Sequence, residues 1–139
     1  MKTLYETTAT ATGGRQGEVA TDDGLLSIKL AYPKALGGKG DQTNPEQLFA
    51  AGYAACFSNA ILHVAKALGV QISRAPVRAT VGIGPNNSGG FQLSAGLNVH
   101  LSGLEQAQAE QLVQAAHQVC PYSNAIRNNI EVNIEVVTG

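Results

Sequence analysis

The stretch TNPEQLFAAGYAACFSNAILHVAKALGV (residues 43–70) decides the fold, because it predicts one long helix with Cys56 in its middle. Asn44 is a preferred N-cap residue, and Pro45 suits the first helical position because that position needs no backbone N–H. Gln47, three residues after Asn44, occupies the returning position of a capping box. Gly69, followed by the β-branched Val70, predicts the end of the helix. At about 1.5 Å per residue, the helix should be about 40 Å long.

The apolar residues of this helix do not keep to one stripe but go most of the way round it. Such a helix must be covered on nearly all sides. Its uncharged run, residues 47–62, is too short and too interrupted by polar side chains for a bilayer span, so the prediction is a protein core and no membrane contact. Small residues leave room beside Cys56, so that a reactive group there can be reached without full exposure. They are Ala50, Ala51, Gly52, Ala54 and Ala55.

The composition fits one ordinary domain over residues 1–139. Nine basic residues stand against ten acidic ones, so there is no electrostatic footprint for nucleic acid or an anionic membrane. The first residues lack the apolar segment of a secretory signal, so we expect a cytoplasmic protein. No cofactor or metal is expected, because the Gly-rich stretches lack phosphate-loop spacing and the three histidines lack ligand spacing.

The order of predicted elements indicates an α+β domain, in which a long central buried helix and a second helix pack on an antiparallel sheet. A meander of three strands comes first, over residues 3–12, 15–20 and 25–32. A loop over residues 33–42 then leads into the long helix. After the helix come a hairpin over residues 76–83 and 91–101, helices over 104–119 and 122–127, and a strand over 130–137.

The two cysteines, Cys56 and Cys120, are the residues most open to chemistry. They form neither a CxxC redox motif nor a zinc ligand pair, and composition alone favours ordinary buried thiols. Cys56 lies among small residues, whereas Cys120 lies at a helix end broken by Pro121, where the backbone can yield. A nucleophile and a resolving thiol need that arrangement. A disulfide requires Cα atoms about 4.4–6.8 Å apart, so the two helices would have to cross near these residues.

A reactive Cys56 would have to be a thiolate, and an ordinary thiol with a pKa of about 8.5 is mostly protonated at neutral pH. A cation from another element would favour the thiolate, because a mid-helix position gains nothing from the helix N-terminus. The residues alone do not choose between the candidates, which are Arg15, Arg74, Arg78 and Arg127. Glu46 lies about 15 Å from Cys56 along the helix axis. It can therefore only anchor an arginine that reaches in between, or favour the helix N-terminus by its charge.

Three stretches of the chain resemble the signature stretches of the organic hydroperoxide resistance proteins, whose superfamily also holds the osmotically inducible peroxidases. The stretches are ATATGGRQGEV (residues 9–19), LGGKGDQTNPEQLFAAGYAACF (residues 36–57) and VCPYSNAIRNN (residues 119–129). They occur in the family's order, and the match runs almost end to end. The resemblance implies an interwoven homodimer with active sites at the dimer interface.

The resemblance also implies a thiol peroxidase that reduces alkyl or lipid hydroperoxides to alcohols. Cys56 matches the peroxidatic cysteine and Cys120 the resolving cysteine. Arg15 matches the arginine that stabilises the thiolate, and Glu46 matches the glutamate that holds this arginine. In the implied cycle Cys56 becomes a sulfenic acid and condenses with Cys120 to a disulfide. The reductant implied is a dihydrolipoyl group, free as dihydrolipoamide or carried by a lipoylated protein.

Three alternatives stay open at this point. The osmotically inducible branch of the superfamily has the same chemistry with a different physiology. A non-catalytic dimer could bind a small apolar molecule and use the two cysteines as a redox switch. A structural module with two inert thiols is the third alternative.

Overall fold

A computed structural model describes residues 1–139. They form two compact units, Met1–Leu48 and Phe49–Gly139. The long helix α1 (Pro45–Ala67) begins in the first unit and continues into the second. The prediction of a single domain over residues 1–139 therefore stays a prediction. The α+β fold class is confirmed, since both helices and sheets are present.

The first unit is built on a three-stranded antiparallel meander. Its strands are β1 (Ala9–Thr12), β2 (Glu18–Thr21) and β3 (Ser27–Lys29), paired in that order. They are shorter than predicted, and residues 1–8 are exposed and form no strand, because the ladder of β1 with β2 begins only at Ala9. Between β1 and β2, Gly13 and Gly14 have φ of 79° and 59°, and this left-handed turn leads into the short 3₁₀ segment that carries Arg15.

Both ends of α1 follow from local hydrogen bonds. The Asn44 side-chain oxygen accepts a hydrogen bond from the Gln47 backbone N–H at 2.9 Å, as the predicted N-cap requires. The returning half of the capping box is wrong, because the Gln47 side chain accepts a hydrogen bond from the Thr43 hydroxyl instead. At the other end Gly69 has a φ of 71°, and the N–H of Val70 reaches back into the last turn, which confirms the predicted stop.

Within the chain, α1 buries one stripe rather than its whole circumference. The buried residues are Tyr53, Phe57, Ala60, Ile61, Val64 and Ala65. The opposite side, which includes Ala51 and Ala55, is exposed in the single chain. The helix is long and apolar enough to cross a membrane, with a mean hydropathy of 1.4, but core helices of soluble proteins pass the same test. Its buried stripe lies in the core of the second unit, which is the packing of a core helix.

The second unit contains a mixed three-stranded sheet. The strands β4 (Val77–Pro85) and β5 (Phe91–His100) form the predicted antiparallel hairpin. The last strand, β6 (Val132–Val137), runs parallel to β5, where an antiparallel sheet was predicted. The reason is the crossover through α2 (Gln106–Val119) and α3 (Pro121–Ile126), which returns the chain to the end at which β5 starts.

Candidate functional site

The two cysteines, separated by 64 positions in the sequence, face each other in the second unit. The Cys120 thiol donates to the Cys56 sulfur at 3.4 Å, and both residues are free thiols. A disulfide has a sulfur–sulfur distance of about 2.05 Å. The reduced pair therefore lies a short movement away from bond formation, at the place where α1 meets the junction of α2 and α3.

Exposure distinguishes the two sulfurs. Cys120 is fully buried, whereas Cys56 is half-buried and borders a cleft of about 270 Å³. The other residues that line the cleft are Asn59, Ala60, His63, Val119 and Pro121. A small molecule that enters this cleft meets Cys56, while Cys120 is fully buried and does not line the cleft. The arrangement suits an attacking thiol in front of a second thiol.

An aromatic ring occupies the room that small residues leave one turn before Cys56. A Cβ atom placed on Gly52 would lie 2.7 Å from the Tyr122 hydroxyl and 3.0 Å from its Cε2 atom. The Tyr122 ring also packs against Phe49 and Tyr53, with ring centroids 6.0 Å apart in each pair. Sequence reasoning recognised the small residues but not the ring, because Tyr122 comes from the distant α3.

Cys120 forms the elbow between α2 and α3. Its backbone N–H donates to the Ala116 carbonyl at 2.9 Å, and its own carbonyl accepts from the Asn124 N–H at 2.9 Å. Pro121 takes the first position of α3, where it needs no N–H. The predicted break at Pro121 is therefore present, but the backbone at Cys120 is hydrogen-bonded to both helices.

A buried polar cluster that the sequence did not reveal surrounds this elbow. The Ser123 hydroxyl, fully buried, lies 2.7 Å from the Tyr53 hydroxyl and 2.8 Å from the Nδ1 atom of His117. Arg127 donates to the His117 carbonyl and to the Asn124 side-chain oxygen. No sequence motif joins these residues, because Tyr53 and Ser123 are 70 positions apart.

Arg15 and Glu46 form a two-pronged ion pair in the first unit. The two guanidinium nitrogens donate to the two carboxylate oxygens at 2.7 and 2.5 Å. The hydrogen bond to Arg15 lowers the pKa of the Glu46 carboxyl, and the same bond raises the pKa of Arg15. Both groups are therefore charged at neutral pH. Of the two roles considered for Glu46, the anchoring of an arginine is the one that this contact supports.

The other candidate cations have different surroundings. Arg74 and Arg78 are exposed. Arg127 is half-buried and holds the end of α2 through the His117 carbonyl. The three histidines lie on separate elements, and no group of three or more His, Cys, Asp or Glu side chains is placed to hold a metal ion.

The surroundings of Cys56 in the second unit favour its neutral thiol. Burial raises the pKa of Cys56 above its ordinary value, and the thiol of Cys120 adds to that rise. A hydrogen bond with the Tyr122 backbone opposes it. A thiolate at neutral pH would therefore need a positive charge close to Cys56.

The half-buried imidazole of His117 predicts that acid destabilises the fold. Burial, and then the charge of Arg127, lower the pKa of His117. The unfolded chain then binds more protons than the folded chain below the ordinary histidine pKa of about 6.5. The contribution of His117 to the free energy of unfolding should thus be complete above about pH 6.5. It should be lost as the pH drops through the lower pKa of the folded protein.

We expect this loss in urea unfolding between pH 7.5 and 5.5, a range in which carboxylates stay ionised. His117→Gln should flatten the pH dependence, whereas the matched variant of an exposed histidine, His63→Gln, should keep it. Equal slopes in wild type and His117→Gln would contradict the assignment.

Comparisons with known proteins give one consistent family. Residues 38–135 match the family model described as OsmC-like protein. The chain is 48% identical to the organic hydroperoxide resistance protein of Xanthomonas axonopodis pv. citri, over 96% of this chain and 94% of that protein. It is 42% identical to the organic hydroperoxide resistance protein OhrB of Bacillus subtilis, over 96% and 98%. The crystal structure of an organic hydroperoxide resistance protein from Elizabethkingia anophelis, with thiocyanate bound, is similar with a TM-score of 0.96 and 49% identity, covering 100% of both chains.

Proposed function

Because this chain belongs to the OsmC-like protein family and, within it, to the organic hydroperoxide resistance proteins, we propose that it is a thiol-dependent peroxidase for organic hydroperoxides. The observation that carries the proposal is the pair of free thiols 3.4 Å apart, with Cys56 open to a cleft and Cys120 buried behind it. An inert structural pair would not require one sulfur to be accessible.

The first step oxidises Cys56. Its thiolate attacks the distal oxygen of the hydroperoxide, the O–O bond breaks, and the leaving alkoxide takes a proton to become the alcohol. Two electrons pass from the sulfur to the peroxide, and Cys56 becomes a sulfenic acid. The half-buried position of Cys56 suits this step, since the cleft admits a small peroxide group.

The second step uses Cys120. Its sulfur attacks the sulfenic sulfur of Cys56, the S–S bond forms, and the hydroxide that leaves takes the Cys120 proton to give water. The hydrogen bond from Cys120 to Cys56 in the reduced protein supports this step, because it brings the two sulfurs within 3.4 Å of each other. A dithiol then reduces the disulfide by exchange.

Arg15 and Glu46 have the roles that the resemblance gives them. Arg15 stabilises the Cys56 thiolate and donates hydrogen bonds to the peroxide as charge develops on the leaving oxygen. Glu46 orients Arg15 through the two-pronged pair. This assignment supplies a positive charge for Cys56, whose pKa is raised by burial.

The finer features of the proposal follow the family. The protein works as an interwoven homodimer in the cytoplasm, with active sites at the dimer interface and with lipoylated proteins or dihydrolipoamide as reductant. Alkyl or lipid hydroperoxides are the substrates, and apolar residues that line the cleft beside Cys56, among them Ala60, Val119 and Pro121, suit them. The exposed apolar side of α1 supports burial by a second copy.

The test is a stoichiometric oxidation. Reduced protein receives one equivalent of cumene hydroperoxide, and free thiols and intact mass are followed with time. We expect rapid loss of both thiols and a decrease of about two mass units, while Cys120→Ser accumulates a sulfenic acid that dimedone traps. Unchanged thiols after minutes would overturn the proposal. Oxidation without further turnover in excess dihydrolipoamide would instead indicate a redox-switched binding protein.

A further inference from the structure

One buried hydroxyl connects the helices that carry the two sulfurs. Ser123 on α3 contacts Tyr53 on α1 at 2.7 Å and His117 on α2 at 2.8 Å. Tyr53 lies three residues before Cys56, and His117 and Ser123 lie three residues before and after Cys120. The cluster Tyr53–Ser123–His117, here called the Ser123 link, thus ties the turn before one sulfur to both arms of the elbow that holds the other.

One arrangement of the hydrogen bonds in the link gives both hydroxyl protons an acceptor. A neutral His117 accepts at Nδ1 from the Ser123 hydroxyl, and Ser123 in turn accepts from the Tyr53 hydroxyl. The lowered pKa of His117 agrees with the neutral imidazole that this arrangement needs. Ser123 and Tyr53 are fully buried, so removal of one partner leaves a polar group without water to replace it.

The position of α3 depends on contacts of this kind. The helix has six residues, which is too short for stability of its own. It is held to the rest of the unit by the apolar side chain of Ile126, by the packing of the Tyr122 ring on α1, by the Ser123 link, and by Arg127, which donates to the His117 carbonyl. Loss of the link therefore loosens the elbow at Cys120 relative to α1.

We propose that Tyr53, Ser123 and His117 are positioning residues that hold the Cys120 sulfur within reach of Cys56 and so favour disulfide formation over further oxidation. The inference rests on the proposed function. Two reactions compete for the Cys56 sulfenic acid. Attack by the Cys120 thiol gives the disulfide and water, whereas a second hydroperoxide oxidises the sulfenic acid to a sulfinic acid and is itself reduced to the alcohol.

The sulfur positions decide this competition. The sulfurs are 3.4 Å apart in the reduced protein and must close to bonding distance. A misplacement of about 1 Å at a reacting atom can cost up to about 10²-fold in rate. A loosened elbow therefore slows the attack by Cys120, while the oxidation of the Cys56 sulfenic acid by a second hydroperoxide does not use the Cys120 thiol.

The experiment measures the ratio of disulfide to sulfinic product by intact mass, over a series of cumene hydroperoxide concentrations. We expect Ser123→Ala and Tyr53→Phe each to lower this ratio about tenfold. The double variant should be no worse than Ser123→Ala alone, because both changes break the same bond. The ratio compares two fates of one intermediate, so it does not depend on how fast that intermediate forms.

A matched control comes from another serine, Ser58 on α1. Ser58 lies two residues after Cys56 but outside the Ser123 link. Its hydroxyl donates to the Ala75 carbonyl at 2.6 Å. Ser58→Ala should keep the wild-type ratio. Should Ser123→Ala fail to fold, Tyr53→Phe carries the test, since it removes one oxygen and keeps the ring.

The possible results separate this inference from the proposed function. A wild-type protein that keeps both thiols after hydroperoxide overturns the proposed function. A wild-type protein that forms the disulfide, together with variants that keep its product ratio, overturns the Ser123 link alone. A ratio lowered equally in Ser58→Ala overturns it as well, because any lost hydrogen bond near Cys56 would then have the same effect.

Discussion

Cys56→Ser is expected to lower the second-order rate constant for an alkyl hydroperoxide by about 10³-fold or more. A serine hydroxyl is not ionised at neutral pH and is a far weaker nucleophile toward a peroxide oxygen than a thiolate. Cys120 cannot replace it, because Cys120 is fully buried and does not line the cleft. The measurement is peroxide consumption under steady-state conditions with dihydrolipoamide as reductant.

The matched control is Cys120→Ser, which keeps the attacking sulfur. This variant should consume the first equivalent of peroxide at close to the wild-type rate and then accumulate oxidised Cys56, because the disulfide cannot form. Full peroxidase activity in Cys56→Ser would sink the assignment of the attacking residue. Full multiple turnover in Cys120→Ser, without over-oxidation, would sink the assignment of the resolving residue.

Arg15→Ala should have the second largest effect, a loss of about 30-fold or more in the rate of the first step at pH 7. Burial already raises the pKa of Cys56, and a thiol with a pKa of about 8.5 is only about 3% ionised at that pH. The loss should shrink as the pH rises toward 9, because hydroxide then ionises the thiol. The measurement is the pH dependence of the single-turnover rate, together with the ultraviolet absorbance of the thiolate.

Two further variants make this prediction specific. Glu46→Gln should lower the rate less than Arg15→Ala, because it keeps the guanidinium but loses one of the two charge-assisted bonds that orient it. Arg78→Ala removes an exposed arginine and should leave the rate unchanged. A pH profile of Arg15→Ala that coincides with the wild-type profile would exclude Arg15 as the cation of Cys56.

The sequence predicted those parts of the fold that depend on neighbouring residues. Asn44 and Gly69 set the ends of α1 through bonds within a few positions, and alternating residues on either side of a turn-rich stretch located the hairpin of β4 and β5. The direction of β6 was not predictable in this way. Its residues alternate equally well in a parallel and in an antiparallel ladder, and only the path of the crossover decides between them.

The same difference between local and distant contacts applies to the candidate site. The local settings of Cys56 and Cys120 singled out both thiols, and the structure brings them together. The cation could not be identified from the residues alone, because the position of an arginine side chain depends on the path of the backbone. The family resemblance implied Arg15. The Ser123 link was missed because hydroxyls 70 positions apart give no periodic signal.

Gly52 lowers the stability of helix α1 but leaves room for the Tyr122 ring. Glycine inside a helix lowers stability by roughly 0.5–1 kcal/mol relative to alanine, so replacement by alanine is a common way to raise a melting temperature. Here the added methyl group would collide with the Tyr122 ring. A more stable helix would therefore displace the ring that packs one turn before Cys56. At this position the chain keeps a weaker helix and, with it, the shape of the wall beside its accessible thiol.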